Sequence, residues 1–333
     1  MSKLQNGLLD LAQTEALILA GRPCCIAGDE ALLRRLPRGQ WIGGTIPYFM
    51  AEQGGTCTRE YLFVTELPRV GEGPRIVSYN RQSLAQVCTE APEHGFTVLV
   101  IPAFTAIHEA FAQEAPNYEN MYLHPLVGWI SGLHLDDLGK ASARVVHGPS
   151  GEVLDNAAVA MHVPVPANKL VHVDILNLFS PGDGPSIEFA EEGFSATLAR
   201  IDGVETNLHD WMERQEIDTQ LPLVADYSGA MVNVSIKALN AAAYSVDFYA
   251  PVFPDTVYRV AAPLDDYMAA FRGVIGAQQA PGEVVFCCNC ILNYAYGGLQ
   301  GERTGAFYGP MTFGEIGYQL LNQTLVYLSL VDA

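Results

Sequence analysis

Hydrophobic and polar positions along the chain alternate between two periods. Residues 8–20 (LLDLAQTEALILA) repeat apolar positions at Leu8, Leu11, Ala12, Ala16 and Leu19, close to the 3.6-residue period of a helix. Gly21 and Pro23 end that helix. Cys24–Ala27 then reads as a short buried strand, and 29–36 as a short helix with Asp29 at its N-cap. Strands follow at Trp41–Phe49, Tyr61–Glu66 and Arg75–Asn80, the last two parted by a Gly/Pro-rich turn around 71–74. A helix over Ser83–Glu90 precedes the apolar strand Thr97–Ala103 (TVLVIPA), and a further helix covers Thr105–Ala115.

Strand-then-helix passes of this kind predict α/β organisation for the first 120 residues. Beyond 126 the pattern turns β-rich. Short apolar segments alternate with turns such as His147–Gly151, and Asp202-Gly203 reads as a hairpin turn. A helix is expected over Leu208–Gln215. A second half beginning near Leu221 carries strands around 232–236, 257–261 and 283–288, with a helix over 264–275. A last helix is expected over 314–322 and a final buried strand over 324–330. The expected fold is α/β or α+β: two domains, 1–215 and 216–333, sheet-rich, with helices packed on mixed sheets.

Composition narrows the function classes. At 333 residues and 49% hydrophobic, the chain can fill more than one core. Charged residues are only 17%, which implies extensive buried sheet or a homo-oligomer interface. The net charge of −19 repels phosphate backbones and anionic lipid, so neither nucleic acid nor a membrane surface is the expected partner. No run of 18 apolar residues predicts a membrane span, and the first residues lack a signal-peptide layout. A cytoplasmic protein is expected. Its seven cysteines, two pairs of them adjacent in sequence, then read as thiols rather than a disulfide framework.

Unusual residues concentrate in the last fifty. VVFCCNC (284–290) is followed by GPMTFGEIG (309–317) and LLNQTLVYL (320–328). On a strand, Cys288 and Cys290 share one face and Cys287 takes the other. Two thiolates so spaced could hold a soft metal such as Cu(I) or Zn, but no C-x-x-C pair accompanies them. The plainer reading is buried cysteine acting as a small hydrophobe. Glu315, between Gly314 and Ile316, reads as a helix-start cap, an amine-binding carboxylate or a general base. Asn322 and Thr324 order a loop or hydrogen-bond a ligand. Gly43-Gly44-Thr45 suits close backbone approach, either to a neighbouring strand or to a ligand, and matches no phosphate loop. His162 and His172 fall on adjacent expected strands and could pair across a hairpin.

Phe286-Cys287-Cys288, Phe313-Gly314-Glu315-Ile316 and Asn322-Gln323-Thr324, in this order, resemble the carboxy-terminal part of the FIST sensory domain. WIGGT (41–45) and IDGVE (201–205) are similar to two further segments of that family. The resemblance implies a small-ligand sensor rather than an enzyme. Its ligand would be lined by Gly44, Thr45, Tyr48, Cys288, Cys290, Gly314, Glu315, Asn322 and Thr324, and a signalling protein would read its occupancy in trans. Asn289, Cys290 and Ile291 stand where the family usually runs on to an arginine, and Tyr48 where a small turn residue is usual. Haem held by a histidine, a soft metal held by the 287–290 thiols, and a cysteine enzyme using Cys288 or Cys290 are the alternatives.

Overall fold

The computed structural model describes residues 4–71, 73–227, 230–277 and 280–333, with side chains described throughout except at 275–277. The expected turn around 71–74 and the expected helix end at Ile275 therefore lie partly outside the described residues.

The chain is sheet-rich α+β. It opens with β1 (Asn6–Leu9), α1 (Leu11–Leu19), β2 (Cys24–Gly28), α2 (Glu30–Leu33), β3 (Trp41–Thr45), β4 (Tyr48–Ala51), β5 (Gly54–Cys57) and β6 (Leu62–Glu66). It continues through β7 (Arg75–Tyr79), α3 (Gln86–Thr89), β8 (Gly95–Pro102), α4 (Ala106–Glu114) and β9 (Leu126–Ser131). Next come β10 (Val145–His147), β11 (Glu152–Leu154), β12 (Ala158–Pro164) and β13 (Lys169–Asn177). After an intervening unit it returns with β14 (Glu283–Cys290), α5 (Ile291–Tyr296), β15 (Gly309–Thr312), β16 (Glu315–Gly317), β17 (Gln319–Leu321) and β18 (Thr324–Asp332).

Two compact units result. The first comprises 1–175, 275–320 and 325–333, and the second 176–274 with 321–324. The expected boundary at 215 falls inside the second unit, which the chain enters after β13 and leaves before β14. No local composition change marks this arrangement. It follows from long-range pairing, since the last strand β18 lies between β13 and β14 in one sheet.

The first unit holds three six-stranded sheets, ordered β1-β6-β2-β3-β10-β11, β17-β16-β9-β8-β12-β7 and β13-β18-β14-β15-β4-β5. Parallel pairing joins β2 to β3 and β8 to β9, and the Pro102 end of β8 feeds α4 through the N-cap Thr105. The sheets meet face to face. A Cβ on Gly44 would lie 2.8 Å from the Trp129 and Val100 side chains and 2.9 Å from that of Ser131, so glycine there lets the first sheet close on the second. Phe49 of the third sheet stacks on Phe63 of the first, with centroids 6.0 Å apart.

Two local expectations are corrected. The first strand, β1, precedes the helix, which is shorter than 8–20 and starts at Leu11 behind a capping box on Asp10. Residues 314–322 are not helical; they form β16 and β17, hinged at Tyr318 with φ +66°. Gly314 and Gly317 disfavour a helix, while the edge of β9 offers ladder partners, so Glu315 pairs with Trp129.

The second unit is mainly antiparallel, with its own cluster of Phe179, Val224 and Ala261. Asp202 and Gly203 take φ +47° and +81°, the paired left-handed conformation of a tight hairpin turn.

Candidate functional site

The residues singled out from the sequence divide into three groups. Cys288, Glu315 and their neighbours form a buried polar junction where the three sheets of the first unit converge. Cys288 Sγ donates to the Gly128 carbonyl at 3.2 Å, carrying the third sheet onto the second. Glu315 is fully buried and accepts from Thr312 Oγ1 at 3.3 Å. Burial pushes the Cys288 thiol well up, and the Glu315 and Cys287 charges raise it further. Burial also drives Cys287 upward and lifts Cys25, which faces the Trp129 indole, to about 12. Cys290 is buried at the N-cap of α5, with its N–H on Asn289 Oδ1 at 2.7 Å. Gly314 accepts the Ile130 N–H at 2.8 Å.

A nucleophilic thiol needs a lowered pKa, and the 287–288 pair is driven the opposite way. The same residues thus serve as packing and hydrogen-bonding groups between sheets.

Thr45 is likewise satisfied within the fold. Its hydroxyl donates to the Gly132 carbonyl at 2.7 Å and accepts the Arg144 N–H at 2.9 Å. Tyr48 stacks on His134 with centroids 5.4 Å apart, meets the Tyr294 edge at 5.5 Å, and accepts the Leu135 N–H at 3.2 Å. Its hydroxyl neighbours Cys57, the one thiol that is not buried. A thiol reagent such as DTNB at pH 8 is therefore expected to react with Cys57 ahead of the other six. Fast labelling of one thiol in the native protein, lost in Cys57→Ser, is the expected result; several fast thiols would contradict the burial pattern.

Asn322 and Thr324 belong to the second unit. Asn322 offers its carbonyl to Asn233 Nδ2 at 3.1 Å, and Gln323, at φ +50°, accepts from Ser235 Oγ at 2.7 Å. Asn233 and Asn177 exchange reciprocal amide bonds at 2.8 and 2.9 Å. The amide run pins a chain return to β structure.

The histidines and metal donors fall elsewhere. His162 and His172 do not pair: β12 lies between β7 and β8, whereas β13 joins another sheet. Both ring nitrogens of His162 are engaged, by Tyr79 Oη at 2.8 Å and Thr97 Oγ1 at 2.9 Å. Among the described residues, three metal donors converge only at His209, Asp210 and Glu213. There His209 Nδ1 already meets Asp210 Oδ1 at 3.2 Å, and among the described residues its buried Nε2 has no hydrogen-bond partner that would fix the ring for metal binding. The 287–290 thiols contribute to no such cluster.

A cavity in the first unit lies at the opposite end of the first sheet's strands from Thr45. It measures about 630 Å³, within the range of small-molecule sites. Leu67, Val70, Val285 and Leu330 supply apolar wall. Arg22 precedes β2, Glu66 ends β6, Arg69 follows it, Lys169 begins β13 and Glu283 begins β14. Three of the chain's 18 cations thus meet around one hollow. Glu66 is buried and binds Arg22 through Oε1, while Oε2 accepts the Gln5 N–H at 3.0 Å. Glu66 also helps burial raise the neighbouring Cys24 thiol to about 12.

A smaller cavity of about 330 Å³ lies beyond the end of β8, beside Phe104, Ser142, Arg144 and Asp155. Phe104 is held there at φ +58°, a conformation costly for an aromatic residue. Its arginine is tied to Asp155.

None of the nine expected ligand residues lines the larger cavity. Its lining comes from six separated stretches, and no local motif announces it. The only sequence signal is the Leu-Pro-Arg-Val run at 67–70, which places a cation just past a buried strand.

Fold and cavity together define a sheet-rich α+β protein with a hollow of ligand size in its first unit. The chain belongs to a family of unknown function, DUF6976, whose model matches residues 9–331. No curated protein matches it.

Proposed function

We propose that this is a small-ligand-binding protein of sensory type, with its ligand in the 630 Å³ cavity beside Arg22, Arg69 and Glu283. One observation carries the reading: an apolar-walled hollow of drug-like size onto which five charged side chains converge. The order of the Cys288, Glu315 and Asn322 motifs supports FIST-type sensing by resemblance. Those residues act in this reading as the framework joining the sheets. Strands β6, β14 and β18 reach the cavity from two of those sheets, so ligand contacts bear directly on the framework. A protein partner would read the state that the ligand favours. Among the described residues no helix is long and apolar enough to cross a membrane. The seven free cysteines, six of them buried, support placement in the reducing cytoplasm.

The test is native mass spectrometry of protein purified from its own host. Wild-type protein is expected to carry a small molecule that Leu330→Trp, which fills the cavity, loses while keeping its melting temperature. A wild-type mass equal to the bare chain, with no cavity resonance moved by a fragment library, would overturn the reading. Haem or a bound metal in the same spectrum would favour the cofactor alternative.

A further inference from the structure

Three cations around one cavity of an acidic protein suggest an anion site, but the ion pairing gives a different answer. Arg22 commits Nε and Nη2 to Glu66, whose second oxygen is already held by the Gln5 N–H. Lys169 Nζ lies 2.7 Å from Asp332 Oδ1. These two cations are neutralised by carboxylates of the chain. Arg69 is different: its Nη1 donates to the Gly21 carbonyl at 3.1 Å, and among the described residues no carboxylate pairs with it. Glu283 lines the same cavity and, among the described residues, no cation pairs with it. Among the described residues the cavity therefore presents one positive and one negative charge without an ion-pair partner, Arg69 and Glu283, around an apolar wall.

Resting on the cavity reading above, we propose that the ligand is a zwitterion with an apolar body, of dipeptide size, its carboxylate on Arg69 and its ammonium on Glu283. A ligand bearing only an anion would leave Glu283 facing it, and a cation alone would leave Arg69 facing it. A zwitterion answers both charges, and its side chains meet Leu67, Val70, Val285 and Leu330. The volume suits this class, because about 630 Å³ exceeds what a single amino acid fills. Arginine supplies the planar donor pair that carboxylates prefer.

Calorimetry with three probes that share one body tests the proposal: the dipeptide Leu-Phe, its N-acetyl form and its C-terminal amide. Leu-Phe is expected to bind about ten-fold more tightly than either blocked form, the usual scale for losing one charge-assisted hydrogen bond. Arg69→Met is expected to make the free acid and the amide bind equally. Glu283→Gln is expected to make the free amine and the N-acetyl form bind equally. Both positions are exposed, so neither change threatens folding. If the N-acetyl form matches the free dipeptide, the site is anionic in preference and the zwitterion assignment fails. If none of the probes binds while host-purified protein carries a molecule that Leu330→Trp loses, the zwitterion assignment fails and the cavity reading stands. If that molecule is absent as well, the cavity reading itself fails.

Discussion

Trp129→Ala is expected to lower the unfolding free energy by about 3–5 kcal/mol, the range for emptying a fully buried indole site. Trp129 is 1% exposed and stands where the three sheets of the first unit converge. Its ring lies against Gly44 of the first sheet, its backbone pairs with Glu315, and Cys25 faces its indole. These neighbours belong to different strands held by their own ladders, so they collapse poorly into the space left behind. Urea unfolding at pH 7 reads the effect as a lowered midpoint with an unchanged slope. Gly44→Ala alone is expected to cost about 1–3 kcal/mol, because its methyl would press on Trp129 and Val100 at 2.8 Å. Combined with Trp129→Ala, that methyl enters vacated space, so the double variant should lose less than the sum of the two. A Trp129→Ala loss under about 1 kcal/mol, or simple additivity, would refute this account of the junction.

The same junction shows what could be read in advance and what could not. Elements fixed by local chemistry were legible: the apolar run of β8, the Asp29 cap of α2, and the Asp202-Gly203 turn. Each is decided within a few residues by burial, by a side-chain acceptor or by left-handed backbone. Residues 314–322 misled because a short strand between glycines has no period to display. It becomes a strand only because β9 lies beside it. The density of cysteine, glutamate and amide residues near the carboxy terminus was visible. Its role was not, because Cys288 finds Gly128 across 160 positions of sequence. Polar side chains at strand ends suit a ligand, and they equally suit a seam between sheets that must satisfy every buried donor. The cavity was least legible of all. Arg22, Glu66, Arg69, Lys169 and Glu283 become neighbours only after β13, β14 and β18 take their places, and the chain passes through the whole second unit between the first and last of those strands.

Acidification from pH 7 to pH 4 is expected to remove about 3 kcal/mol of stability for each of two buried histidines, in addition to any carboxylate effects. Burial lowers the pKa of His162 from 6.5 to about 4, with the Arg75 charge acting in the same direction. Burial alone lowers His108 to about 4. Both are therefore neutral in the folded protein, while in the unfolded chain they protonate near 6.5. Below that pH the unfolded state binds more protons than the folded state, so stability falls as pH falls. The loss starts near pH 6.5 and is complete once pH drops through about 4, where the folded imidazoles protonate as well. Well above pH 6.5 the contribution of either histidine to the slope vanishes. His162 has a further reason to resist protonation: its two nitrogens lie between the hydroxyls of Tyr79 and Thr97, and one of them must accept. Its replacement must therefore keep the shape and a polar edge, which Gln supplies; Gln also suits His108, whose Nδ1 accepts the Phe104 N–H at 3.4 Å. Unfolding free energies of wild type and His108→Gln/His162→Gln, measured between pH 4 and 8, should differ in slope by up to two protons on the acid side. Above pH 7 the two curves should run parallel. Parallel curves across the whole range would show that the two rings exchange protons in the folded state as readily as in water.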